Sequence, residues 1–232
     1  MTSIKSNLSY KTKPLSVCFD LDGTLVDTAP DLIRVLNIVI NDVGLSDTDY
    51  KTARKEIGFG SRALIKNAFK RQNSYLSETL CDELQQKFLK LYASDIAQKS
   101  TPFDGVIEVL TGLKRRGYDL CVCTNKPGYL ARPLLEYLDM TKYFTTIIGS
   151  DDIVRNKPFA DHIFACAGHS DTQRIVMVGD GPPDTLAAKA ANIPSVVVNY
   201  GYSTIPFYQL GGDIILSRFR QLPSALIKLT QS

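Results

Sequence analysis

Leu15-Ser16-Val17-Cys18-Phe19-Asp20-Leu21-Asp22-Gly23-Thr24 is the stretch on which the fold turns. Its apolar run does not alternate with polar residues, so it suits a strand buried on both faces, as in a parallel sheet. It stops abruptly at two carboxylates. Open α/β sheets place their ligand groups just beyond the carboxyl ends of strands, and Asp20 and Asp22 stand at such an end. Gly23 allows a sharp turn directly after the acids.

Outward from this stretch the texture changes twice. Thr28, Pro30 and Asp31 mark a helix start, and Leu32, Leu36, Val39, Ile40 and Val43 form a helical stripe that stops at Gly44. Two further amphipathic segments, 61–72 and 77–97, follow with no strand between them. From Pro102 onward helices and strands alternate: helix 106–116, strand 120–123, helix 130–138, strand 145–148, helix 160–167, strand 174–178, helix 187–191, strand 195–198, strand 214–216 and helix 224–230. Repeated αβ units with apolar strands predict a doubly wound parallel sheet. The expected organisation is an α/β core over 15–28 and 99–232, a small α-helical insertion over 29–98, and a disordered leader over 1–14.

Composition removes whole classes of function. A net charge of +3, from 27 basic and 24 acidic residues, is too small to argue for nucleic acid or an anionic membrane. No run reaches the roughly 18 apolar residues of a membrane span, and the polar first residues hold no signal-peptide core. The cysteines number 5, with no C-x-x-C pair, so a disulfide framework or zinc site is not expected and a reducing cytoplasm is. With only 2 histidines, His162 and His169, a multi-histidine metal cage is impossible. Both histidines are expected at the surface or at helix ends, and Cys121 and Cys123 in the core. Lys114-Arg115-Arg116 reads as a solvated helix end that complements the dipole.

Further polar groups fall at the same edge of the predicted sheet. The 120–123 strand ends in Thr124-Asn125-Lys126-Pro127. Asn156-Lys157-Pro158 follows the 145–148 strand, and Gly179-Asp180, with Asp184 four residues on, follows the 174–178 strand. Asp20, Asp22, Asp180 and Asp184 cannot all remain ionised side by side without compensation. Each like-charge pair at about 4 Å costs on the order of 4 kcal/mol at an effective dielectric near 20. Lys157 offsets one charge, and a hard divalent cation offsets the rest; Mg²⁺ suits carboxylates shared with a substrate phosphate. A carboxylate is already an anion at neutral pH and attacks phosphorus without a histidine base. A calcium loop is excluded because Leu25 stands where such a loop needs glycine.

These four ordered motifs resemble those of the haloacid-dehalogenase-like hydrolases, and within them the phosphoglycolate phosphatases. The similarity extends to Thr101-Pro102-Phe103-Asp104-Gly105-Val106 and to Asn199-Tyr200-Gly201-Tyr202, and spans about residues 15–230. The resemblance implies a Mg²⁺-dependent phosphomonoester hydrolase. Asp20 would be the nucleophile that forms an aspartyl-phosphate, and Asp22 the general acid and base. It implies Mg²⁺ held by Asp20, the Asp22 backbone carbonyl and Asp180, with Asp184 acting behind them. Thr124, the Asn125 backbone and Lys157 would hold the phosphoryl oxygens. Dehalogenases of the superfamily lack the second acid, so Asp22 favours phosphate chemistry.

The helical insertion resembles the family's small four-helix cap. Within it, Gly58-Phe59-Gly60-Ser61-Arg62 opens a helix, and Arg62 is the candidate for the carboxylate of a substrate such as 2-phosphoglycolate. The expected partner is a small phosphorylated metabolite, and the expected assembly a monomer or homodimer. A phosphosugar mutase and an inactive phosphate-binding module are the alternatives; retention of both Asp20 and Asp22 argues against the second. One departure stands out: Gly181 occupies a position usually held by serine, followed by Pro182-Pro183, which bears on metal affinity.

Overall fold

The computed structural model describes residues 14–230, so residues 1–13 of the expected leader lie outside the described residues. The first strand, β1 (Ser16–Phe19), lies in the middle of the main sheet and is buried along its whole length. The chain then forms a short antiparallel ribbon from β2 (Val26–Asp27) and β3 (Thr101–Pro102), which frames the exit and return of the inserted segment. This ribbon is absent from the sequence expectation, since two-residue strands carry no period to detect. The main sheet is completed by β4 (Asp119–Cys123), β5 (Thr146–Ile148), β6 (Ile175–Gly179), β7 (Ser195–Val198) and β8 (Ile214–Leu216). Its order is β5-β4-β1-β6-β7-β8, and every neighbouring pair is parallel. The doubly wound α/β class expected from the sequence is the architecture observed.

Four helices lie between β2 and β3: α1 (Ala29–Asn41), α2 (Tyr50–Arg54), α3 (Ser61–Arg71) and α4 (Glu78–Ser94). The stripe Leu32, Leu36, Val39 and Ile40 packs against Leu64, Ile65, Leu84 and Phe88 of α3 and α4 in the main hydrophobic core. α1 starts where Thr28, Pro30 and Asp31 predict, with Thr28 at its N-cap, but the Thr28 side chain makes no cap bond and both polar side chains reach across the chain. The Thr28 hydroxyl donates to Asp22 Oδ1 at 2.6 Å. Asp31 is fully buried, and its Oδ2 accepts from the backbone N–H groups of Lys99 and Ser100 at 2.9 and 2.8 Å and from the Ser100 hydroxyl at 2.7 Å. One carboxylate thus fastens the outgoing and returning chains to each other.

Downstream come α5 (Val106–Arg115), α6 (Gly128–Tyr137), α7 (Ala160–Ala167), α8 (Pro182–Ala191) and α9 (Leu222–Thr230). α8 begins five residues before the expected position, because proline is tolerated in a first helical turn whose N–H groups lack partners anyway. A second buried cluster beneath α7 and α8 holds Cys18, Cys121, Cys123 and Cys166, all unbridged, with Met177 and Ala187. His162 lies in the first turn of α7, at a helix end as expected, but it is fully buried under the loop that carries Lys157 and not at the surface. Among the described residues no helix is long and apolar enough to cross a membrane.

Candidate active site

The carboxyl ends of β4, β1 and β6, three neighbouring strands, deliver the polar groups to one edge. They open into a cleft of about 570 Å³ walled on its far side by the helical insertion. Asp20 follows β1, and its backbone N–H donates to Val178 O of β6 at 2.9 Å, which anchors the turn to the neighbouring strand. Lys157 Nζ lies 2.8 Å from Asp20 Oδ1 and 2.6 Å from Asp184 Oδ1, with almost no solvent exposure. Its backbone is fixed from below: Lys157 N–H donates to His162 Nδ1 at 3.1 Å, which leaves the ring's Nε2 to donate to Ile148 O at 3.1 Å. The Asn125 amide also donates to Lys157 O at 2.9 Å. This buried histidine carries no charge-relay role; it places a lysine.

Asp184 serves two neighbours at once. Its second oxygen accepts from the N–H groups of Asp180 and Gly181 at 3.2 and 3.1 Å, closing the first turn of α8 while pinning the strand end. Asp180 accepts from the Thr24 hydroxyl at 3.2 Å and from the Tyr202 backbone N–H at 2.6 Å. Gly23 has φ of +87°, and a Cβ there would lie 2.6 Å from Asp180 Oδ2. Only glycine meets both demands.

Asp22 has a separate environment. Lys126 Nζ lies 3.0 and 3.3 Å from its two carboxylate oxygens, and the Thr28 hydroxyl donates to it as well. The Lys126 ammonium also sits 4.5 Å above the centre of the Tyr92 ring, supplied by α4 of the insertion. Burial works against the Lys126 charge, but Asp22 and Tyr92 outweigh it and hold its proton above the ordinary lysine range. Lys157 behaves likewise, with Asp184 and Asp20 outweighing its burial.

Burial pushes Asp20 up to about 7, with Asp184 and Asp22 adding to the shift and Lys157 opposing it. Asp180 is pushed up to about 8 by burial, then by Asp20 and Asp184. Two desolvated carboxylates with raised proton affinity mark a place that demands a cation. Asp20, Asp180 and Asp184 each offer an oxygen, and these atoms lie within 4.8 Å of one another. Lys157 compensates two of the three, whereas the bonds to Asp180 come from an uncharged hydroxyl and an amide. A divalent metal fits this donor set.

Such an arrangement, a largely buried edge of carboxylates and lysines that opens into a cleft around a cation site, suits displacement at phosphorus. The profile of the haloacid dehalogenase-like hydrolases matches residues 17–198. The chain belongs to that family. Two relatives named phosphoglycolate phosphatase lie close in sequence. One, from Agrobacterium fabrum, is 41% identical over 95% of each chain; the other, from Caulobacter vibrioides, is 39% identical over 94% of this chain and 92% of its own. The crystal structure of a predicted phosphoglycolate phosphatase from Haemophilus somnus superposes with a TM-score of 0.85 at 29% identity, covering 93% of this chain and 99% of that one. Like these family members, the chain is a phosphatase.

Of the residues singled out by sequence, Asp20, Asp22, Thr124, Asn125, Lys157, Asp180 and Asp184 all line the one cleft. Thr124 is buried and its hydroxyl accepts from Lys126 N–H at 3.1 Å, tightening the turn after β4. Arg62 also borders the cleft, but its guanidinium is turned to Glu78, Asp82 and Gln85 of α4, so its charge is already spent on two carboxylates. Sequence reasoning assigned no role to Lys126, Tyr92, Arg54 or Tyr202. Lys126 stands inside the Thr-Asn-Lys-Pro motif and was open to recognition. Tyr92 and Arg54 lie on the insertion, where only tertiary packing brings them to the site. Arg54 donates to the carbonyls of Tyr200 and Gly201, each at 3.0 Å, with its guanidinium 4.6 Å from the Tyr202 ring centre.

Proposed function

We propose that the protein hydrolyses 2-phosphoglycolate to glycolate and inorganic phosphate in the cytoplasm. The observation that carries this reading is the separation of two adjacent carboxylates into different environments, Asp20 against Lys157 and Asp22 against Lys126. Environments that differ in this way divide labour between two acids. The names borne by the close relatives supply the substrate class.

The Asp20 carboxylate attacks phosphorus, and the ester P–O bond breaks with its electron pair passing to the glycolate oxygen. Asp22 gives that oxygen its proton. Water then attacks the aspartyl-phosphate and loses its proton to Asp22; the Asp20–phosphorus bond breaks, and both acids return to their starting state. Thr124, the Asn125 backbone and Lys157 hold the phosphoryl oxygens throughout, where preorganised donors outweigh any contribution water could make. Mg²⁺ held by Asp20, Asp180 and the Asp22 backbone carbonyl, with Asp184 behind Asp180, would neutralise charge on the transferring group. Residues 29–98 act as a cap that excludes water while the phosphoryl group is in transit.

The test is phosphate release from 2-phosphoglycolate in the presence of Mg²⁺, alongside a panel of small phosphorylated acids and sugars. Asp20→Asn should lower turnover by at least about 1,000-fold, the scale expected when a nucleophile that acts as a unit with its neighbours is lost. Label from ³²P-phosphoglycolate should be trapped on the wild-type protein after acid quench and be absent from Asp20→Asn. A flat profile across the panel would end the substrate assignment.

A further inference from the structure

A phosphoglycolate ester ends in a carboxylate two bonds from its ester oxygen, and that anion needs a partner inside a cleft already crowded with acids. Arg62 is occupied by Glu78 and Asp82, and Lys55 borders the cleft from an exposed position where water and salt screen its charge. Lys157 is enclosed between Asp20 and Asp184, on the side where phosphorus is attacked. Lys126 is placed differently. It stands beside Asp22, the group that must touch the ester oxygen to protonate it, and lines the same cleft. Its side chain is 4% exposed, so its charge is little screened by water.

An ammonium has three donors, and among the described residues Asp22 is the one carboxylate paired with Lys126. Beside it, the hydroxyl of the cap residue Tyr92 is buried and has no hydrogen-bond partner among the described residues, although Tyr92 lines the cleft. A buried hydroxyl without a partner carries an unpaid desolvation cost that a ligand acceptor relieves. A cation with donor capacity in hand and an idle donor thus meet on the leaving-group side of Asp22.

We propose that Lys126 and Tyr92 form the subsite that reads the substrate's carboxylate, and that they set the preference for phosphoglycolate over esters lacking that anion. This rests on the phosphoglycolate reading above. The pair joins core to cap, so the subsite is complete only when the cap is closed; an uncharged leaving group leaves the Tyr92 hydroxyl unpaired and gains nothing from Lys126.

The test compares kcat/KM for 2-phosphoglycolate and for ethyl phosphate, which keeps the ester and loses the carboxylate. Wild-type protein should prefer phosphoglycolate strongly. Lys126→Met should reduce that preference about 10- to 100-fold, the range for a hydrogen bond to a charged group. Lys126→Arg should restore part of it, and Tyr92→Phe should cost about 3- to 10-fold. Because Lys126 also steadies Asp22, both esters slow in Lys126→Met, and the ratio is the quantity that counts. If the variant is too slow to measure, calorimetric Kd values for 3-phosphonopropionate and propylphosphonate give the same ratio without turnover. A ratio unchanged in Lys126→Met, or one that collapses in Arg62→Ala instead, overturns the subsite and leaves the phosphoglycolate reading intact. A wild-type protein with no preference between the two esters overturns that reading, and the subsite with it.

Discussion

Gly201 is where one added methyl group should reach the metal. A Cβ built at this position falls 2.2 Å from both Cβ and Oδ2 of Asp180. Ordinary contact begins at about 3.4 Å, so Gly201→Ala demands a displacement of about 1.2 Å. The Asp180 Cβ cannot swing away as a side-chain tip does, because it is fixed to the end of β6, and the Tyr202 N–H bond to Asp180 starts from the next residue. The strain therefore falls on the carboxylate that offers Asp20 and Asp184 their third oxygen. Mg²⁺ tolerates little departure from ligand distances of about 2.0–2.1 Å. Loss of supporting geometry of this kind costs about 10- to 100-fold in metal affinity, and overpacking costs about 1–3 kcal/mol of stability. The assay is phosphate release against Mg²⁺ concentration, with isothermal calorimetry for the metal alone. Half-saturation should move up by about 10- to 100-fold, and turnover should recover in part at saturating metal. A folded variant with unchanged Mg²⁺ affinity would refute both the packing argument and the placement of Asp180 on the metal.

Two further outcomes follow from the same geometry. Asp20 and Asp180 hold protons more tightly when folded, near 7 and 8, than in the open chain, where a carboxylate titrates near 3.8. Between those values the native state binds more protons than the unfolded one, so the contribution of this pair to the stability of metal-free protein should be full below about pH 4 and be lost as pH rises toward 8. The slope is at most about 1.4 kcal/mol per pH unit for each group. Mg²⁺ should flatten this dependence, giving a larger gain in Tm at pH 8 than at pH 5.5 by thermal shift with and without chelator; a Tm that is flat or rising with pH in chelator would contradict it. Arg54→Ala removes the cap's grip on Tyr200, Gly201 and Tyr202. It should lower kcat/KM about 10-fold, the scale of a lost hydrogen bond to a charged group; an unaltered kcat/KM would show that this contact does not serve the site.

The parts of the site legible in the sequence are those carried at strand ends. Asp20, Thr124 and Asp180 each follow an apolar run whose burial fixes its place in a parallel sheet, so topology alone brings them together. Lys157 was placed by its motif, but the reason it points correctly, a bond from its N–H to buried His162, depends on a helix five residues on that wraps beneath it. The cap's contribution was legible as helices and not as chemistry. Arg62 has the composition of an anion site, yet the acids that occupy it lie 16 and 20 residues away on α4, a pairing no local pattern encodes. Lys126 carries the reverse lesson: a lysine in a turn ordinarily points to water, but here Asp22 pairs with it and the Tyr92 ring, arriving from the insertion, lies against it. Thr28 and Asp31 read as helix-start residues because spacing reports local possibility, while the bonds they make span to Asp22 and Ser100.

The Asp31 carboxylate has a mechanical consequence. Two chain crossings between core and cap would ordinarily give the cap two independent pivots. Because Asp31 stitches Lys99 and Ser100 to the root of α1, and Arg34 ties Asp31 in turn to Asp95, the crossings are welded into a single joint. With the crossings fastened at one place, loss of the Asp31 carboxylate is expected to loosen the outgoing and the returning chain at once.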